Sequence, residues 1–204
     1  MIHETRQADW SRTATAADNT IVSQSESGVS GVKIHLTELS ANYDDPTQIG
    51  YLRLFGLETI NGAKGYVGPF DASSASVVNL TNDTITVAGH GLTNTDKVVY
   101  HNGGGTSITN LTSGTMYFVV GVSGNIFQLS LTSGGAAINL AGTQASLGTA
   151  QYILKLGKQW ALAGELALTF YNPLIGGAGM PMNLQVSEIA STQGFLNYSG
   201  YTKF

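Results

Sequence analysis

Large apolar residues in this chain recur at every second position, and that period leaves few folds open. Val32, Ile34 and Leu36 alternate with Lys33, His35 and Thr37; Met182, Leu184 and Val186 alternate with Asn183, Gln185 and Ser187. A period of two sends alternate side chains to opposite faces, which is the pattern of a half-buried strand. Tyr51-Leu-Arg-Leu-Phe55 is a further strand, as is the run holding Tyr152, Leu154 and Leu156. From Trp160 to Phe170 the large apolar residues (Trp160, Leu162, Leu166, Leu168, Phe170) all sit at even positions, which predicts one more strand, although Ala161, Ala163 and Ala167 would also tolerate a helix. No strong helical period appears. The predicted fold is all-β: a β-sandwich or barrel-like body with an inserted small β domain and extended terminal arms.

Composition sets the domain boundaries. Residues 1–30 are polar and aperiodic, and read either as a free terminus or as an arm that pairs with a neighbouring subunit. Trp10 favours the arm, because a large aromatic seeks something to bury against. Between residues 78 and 151 only Asp83, Asp96 and Lys97 are charged. Short strands there (Thr84–Val87, Lys97–Tyr100, Met116–Val120, Asn125–Leu131) are separated by Gly- and Asn-rich turns, as in a small barrel or sandwich. The expected layout is an N-terminal arm (1–30), a discontinuous body (31–77 plus 152–190), an inserted β module (78–151) and an aromatic tail (191–204). The tail carries Phe195, Tyr198, Tyr201 and Phe204. These pack either on the chain's own core or into a neighbour. With Trp10 they are the candidate interface residues.

Charge narrows the partners. Asp, Glu, Lys and Arg make up 11% of the chain, against about 25% in ordinary soluble domains. A surface so poor in charge suits one that neighbours cover. Net charge is −4 and no basic stripe occurs, so no nucleic-acid partner is expected. No apolar run approaches the roughly 20 residues that span a bilayer, and the start does not read as a signal peptide, so no membrane partner is expected. With no cysteine there are no disulfides or thiolate sites.

The run Ile85-Thr-Val-Ala-Gly-His-Gly-Leu-Thr-Asn-Thr-Asp-Lys-Val-Val-Tyr100 continues through Gly103–Ile108, Leu111–Val119 and Asn125–Leu129. This succession of a His-Gly-Leu turn, an Asp before a Val-Val-Tyr strand, a Gly-rich turn and a Gly-Thr-x-Tyr-Phe-Val strand resembles a small β module that recurs in bacteriophage virion proteins. The resemblance covers roughly 70 residues and implies a structural protein of the virion, of the capsid cement or decoration type. It implies no catalytic residues. His90 between two glycines and Asp96 ahead of a strand have turn-forming roles in a purely physical reading.

Few groups suggest chemistry. His90, His101 and Asp96 can form a two-histidine, one-carboxylate set, but without the close spacing of a metal site. Asp44 and Asp45 before Pro46 read as a turn ahead of a calcium site. Glu58, Asp71, Glu165 and Glu188 are acids without the spacing of a glycosidase pair. No nucleophile elbow or phosphate loop occurs. The chain is therefore expected to be non-enzymatic, with no cofactor and no metal. It is expected to be assembled in the host cytoplasm into a virion, in the capsid ahead of the tail. There it would contact the major capsid protein or other virion proteins and self-associate, most readily as a trimer. The alternative is a tail or fibre component that binds a host-surface glycan through an exposed insert loop at Tyr100, His101 and Asn102. A polysaccharide-cleaving enzyme is the third reading and requires two acids converging in a groove.

Overall fold

The computed structural model describes residues 8–16, 22–26, 28, 30–187 and 193–203. Four strands open the chain: β1 (Ala8–Ala16), β2 (Val22–Glu26), β3 (Lys33–Tyr43) and β4 (Ile49–Phe55). Eight follow: β5 (Thr59–Ile60), β6 (Ala63–Lys64), β7 (Tyr66–Phe70), β8 (Val78–Asn79), β9 (Thr84–Thr86), β10 (Lys97–His101), β11 (Met116–Ser123) and β12 (Ile126–Ser130). The last four are β13 (Gln151–Ala163), β14 (Glu165–Ile175), β15 (Met182–Val186) and β16 (Gly194–Lys203). Among the described residues one 3-10 turn, Gln144–Ser146, is the only helical element, and no helix is long and apolar enough to cross a membrane. The protein is all-β. It divides into two compact units, Met1–Glu58 with Gly157–Phe204, and Thr59–Leu156.

The first unit is a two-layer sandwich. One sheet has the order β1-β16-β3-β14, and the other the order β2-β15-β4-β13. At every corner, β1 to β2 to β3 to β4 and again β13 to β14 to β15 to β16, the chain changes sheet. Eight strands wound in this order form a jelly roll. The alternation seen in the sequence explains the core: Ile34, Leu36, Leu39, Leu52, Leu54, Leu162, Leu184, Val186 and Leu196 are all buried, at 3% exposure or less. Burying side chains of this size contributes about 1.5–3 kcal/mol each.

In β3 the inward positions change parity. Val32, Ile34 and Leu36 are buried, and then Leu39, Ala41 and Tyr43. The ladder pairs Glu38 with Ser199 and Leu36 with Gly200, so Thr37 is an extra residue. This is a β-bulge, which keeps both halves of the strand facing the core.

Three expectations change here. The run from Trp160 to Phe170 is not one strand but the end of β13 and the start of β14, in different sheets. The break is Gly164, at φ +72. Its amide donates to the Gln48 carbonyl, and its own carbonyl accepts from the Tyr43 amide. Trp160 and Phe170 meet across that corner, 6.2 Å between ring centroids. The two terminal segments are also strands of the body and not separate arms. β1 pairs with β16 along nine residues, and β16 lies in mid-sheet between β1 and β3. The polar sequence of residues 8–16 suits an edge strand, where only one face is covered.

The second unit is a sheet of order β7-β13-β10-β11-β12-β9-β8, with β5 and β6 as a separate hairpin. Its core gathers Val78, Ile85, Val98, Tyr100, Ile108, Val119, Phe127, Leu129 and Ile153. The unit starts at 59 and not at 78 because β7 pairs with β13, and Val67, Phe70 and Ala72 join this core.

Candidate interaction surface

The ladder of β1, β16, β3 and β14 lays out one flat outer face in rows. Ser11, Ser199, Glu38 and Thr169 form one row. Thr13, Asn197, Ser40 and Ala167 form the next, and Thr15, Phe195, Asn42 and Glu165 the third. Of these positions only Glu38 and Glu165 are charged, and the Ser199 hydroxyl donates to Glu38 Oε2 at 3.0 Å. Short hydroxyl and amide side chains on a regular sheet leave a shallow, polar, nearly charge-free surface. A partner can cover such a surface without stranding a buried charge.

The candidate interface residues divide between the two faces of the sheet. Phe195 and Tyr201 stand on the outer face, each partly exposed. Tyr201 stacks on His35 with ring centroids 4.7 Å apart and planes 14° apart. That stack leaves His35 only 9% exposed, although it lies on the polar face of its strand, where a solvated or interface side chain is expected. Tyr198 points inward at 2% exposure, so it is a core residue and not an interface anchor. Its hydroxyl donates to Glu26 Oε1 at 3.0 Å, and Arg12 Nε meets the same oxygen at 3.0 Å. Burial, reinforced by the Glu26 charge, pushes the Tyr198 pKa far up, so the hydroxyl keeps its proton. The backbone of Trp10 pairs with Gly200 in β1, but its side chain and Phe204 lie outside the described residues.

The proposed insert loop is not an exposed trio. Tyr100 is fully buried. Its hydroxyl donates to Gln151 Oε1 at 2.6 Å and accepts the Ile108 amide at 3.0 Å. Gln151, also fully buried, donates from Nε2 to the Thr106 carbonyl at 2.9 Å. Asn102 is spent on its own turn: its amide group donates to Ser107 Oγ at 3.1 Å, and its Oδ1 accepts the Gly104 amide at 3.1 Å. His101 accepts the Gly103 amide at Nδ1, 3.0 Å, and sets its ring edge to Tyr152. The Val-Val-Tyr signal reads as a strand, but Tyr100 continues its buried face and cannot greet a ligand.

The acids and histidines are likewise engaged locally. Asp96 accepts the Thr93 amide at 2.8 Å and pairs with Lys155 at 2.9 Å. Asp45 accepts from Thr47 and from Gln48, and these bonds, that of Gln48 first, hold its carboxyl below the usual range. Asp44 accepts the Gln193 amide, Glu58 pairs with Lys33 at 2.5 Å and Asp71 caps Ser73. Glu188 lies outside the described residues. Among the described residues no group of three His, Cys, Asp or Glu side chains is placed to hold a metal ion.

Sequence reasoning found the first half of the edge strand β14 and missed the second. Between Thr169 and Leu174 its ladder with β3 slips: Phe170, Tyr171, Asn172 and Pro173 of β14 stand against the single residue Thr37 of β3. Tyr171 is 98% exposed there. Proline belongs at such an irregular edge because it has no amide to donate, and that was the available signal.

No protein-family model matches the chain, and no curated protein or solved structure matches it either.

Proposed function

We propose that this chain is a structural protein of a bacteriophage virion, a capsid cement or decoration protein that binds an assembled shell through the outer face of the β1-β16-β3-β14 sheet. The observation that carries the reading is that face: three rows rich in Ser, Thr and Asn in which Glu38 and Glu165 are the charged positions, with Phe195 upon it and Tyr201 on the neighbouring row. It is supported by the jelly-roll order, an architecture that viral capsid domains use, although an architecture alone does not give a function. A protein that binds the closed shell and not its free subunits shifts assembly toward the shell by mass action. Self-association, as a trimer around a symmetry axis, would repeat the face toward several shell subunits.

Jelly rolls also serve as lectin domains, so a tail or fibre component binding a host glycan is the second reading. It is weaker at the insert, where Tyr100 and Asn102 are consumed by internal hydrogen bonds.

The test is to mix the purified protein with virus heads, with detached tails and with host cells, and to sediment each. Binding to heads, weakened at least about tenfold by Asn197→Lys with Ala167→Lys, is the expected result, since charges buried at a contact cost affinity. Binding only to tails or cells would transfer the protein to the glycan reading. Head binding untouched by the double substitution would remove the sheet face from the proposal.

A further inference from the structure

Two histidines hold the same kind of turn at separate places in the unit Thr59–Leu156. His90 Nδ1 accepts the Leu92 amide at 2.9 Å, and His101 Nδ1 accepts the Gly103 amide at 3.0 Å. A backbone amide can only donate, so each Nδ1 must present a lone pair, which an imidazolium lacks. Each turn also needs glycine. Gly89 and Gly91 flank His90 at φ +63 and +62, and Gly103 follows His101 at φ +62. Both rings are packed: His90 is 8% exposed with its ring against Phe127, and His101 lies against Tyr152. The buried His90 Nε2 has no well-formed hydrogen bond, and the Gly124 backbone favours the imidazolium against the larger effect of burial.

We propose that His90 and His101 are acid-sensitive latches: protonation at Nδ1 cancels both turn hydrogen bonds, and turns 89–96 and 101–105 open below neutral pH while the eight-stranded unit stays closed.

The surroundings favour the neutral rings. Burial lowers the pKa of both histidines. Lys155 of β13 faces the His90 turn, its Nζ donating to the Gly91 carbonyl at 3.3 Å, and this ammonium opposes a second positive charge. The Asp96 carboxylate would favour the imidazolium, but Lys155 already engages it at 2.9 Å. Tyr152 is the titratable side chain facing His101 from β13. With folded pKa values depressed, the opened state binds more protons, so stability rises with pH. The contribution is complete above about pH 6.5, the ordinary histidine value, and is lost as pH falls from there toward the folded values. At pH 5 each latch weakens by up to about thirtyfold in the opening equilibrium.

Amide hydrogen exchange on the full chain at pH 7.5 and 5.0, corrected for intrinsic rates, tests this. Turns 89–96 and 101–105 are expected to lose protection at pH 5, by up to about thirtyfold, while β3 and β16 keep theirs. His90→Asn with His101→Asn supplies acceptors for the same turns that cannot be protonated, and should exchange alike at both pH values. Wild-type loops indifferent to pH, or a double variant as acid-sensitive as wild type, would overturn the proposal. If the double variant does not fold, the wild-type imidazole titrations by NMR decide. Midpoints below about 6.5 support the latches, and midpoints at or above it overturn them.

Discussion

Gln151 shows what a single side chain does here. It stands at the start of β13, fully buried, and both ends of its amide are used: Oε1 takes the Tyr100 hydroxyl, and Nε2 reaches the Thr106 carbonyl. Loop 103–109 has no strand of its own, so this pair, with the Ile108 amide on Tyr100, ties it to the core. Gln151→Leu keeps the bulk and leaves the proton of the buried Tyr100 hydroxyl without an acceptor, while the Thr106 carbonyl keeps the Gly148 amide. The expected loss is about 2–3 kcal/mol in urea unfolding. A change below about 0.5 kcal/mol would mean that water replaces the amide. Gly103 beside it admits no side chain, because an added Cβ would collide with the Ala150 carbonyl oxygen.

At the scale of elements, β1 and β2 determine what the N-terminal region is. Read as an arm, residues 1–30 could be deleted to leave an intact body. Read as strands, they close one side of both sheets, and β2 supplies the Glu26 carboxylate to Tyr198. Deletion would bare the edges of β16 and β15 and strand the Tyr198 hydroxyl. The expected outcome is a loss on the order of 5 kcal/mol or more, comparable with a whole domain's stability, seen as a collapse of cooperative thermal unfolding. A truncated protein that melts like the full chain would restore the arm. The β3 bulge belongs to this scale too. The parity change from Ile34 and Leu36 to Leu39 and Ala41 was visible in the residues, and a bulge is the device that reconciles such a change with one core face.

For the whole molecule, the two units have separate cores, and the chain leaves and re-enters the jelly roll at neighbouring points. Leu57 packs where a side chain on Gly157 would sit. Replacing residues 59–156 with a short Gly-Ser linker should therefore leave a folded eight-stranded unit. Its melting point should lie within about 5–10 °C of the same transition in the full chain, the shift that about 1–2 kcal/mol produces at this size. Loss of the β signature in circular dichroism would show that the jelly roll needs the inserted unit to fold.

The residues alone determined that this protein is all-β and interrupted by an inserted unit, because period two and turn chemistry are local properties that any register of the strands preserves. They also announced the turns at His90 and Asp96, since a glycine pair and a strand-preceding Asp act within a few residues of themselves. Only the tertiary structure decided which sheet each strand joins, that β16 is central, and that Tyr198 and Tyr100 face inward while Phe195 and Tyr201 face out. An aromatic at a strand position carries no mark of which face is covered. That depends on the partner strand and on the layer packed against it, which for Tyr198 come from parts of the chain more than a hundred residues away and for Tyr100 from Gln151 and Ile153, 51 and 53 residues on.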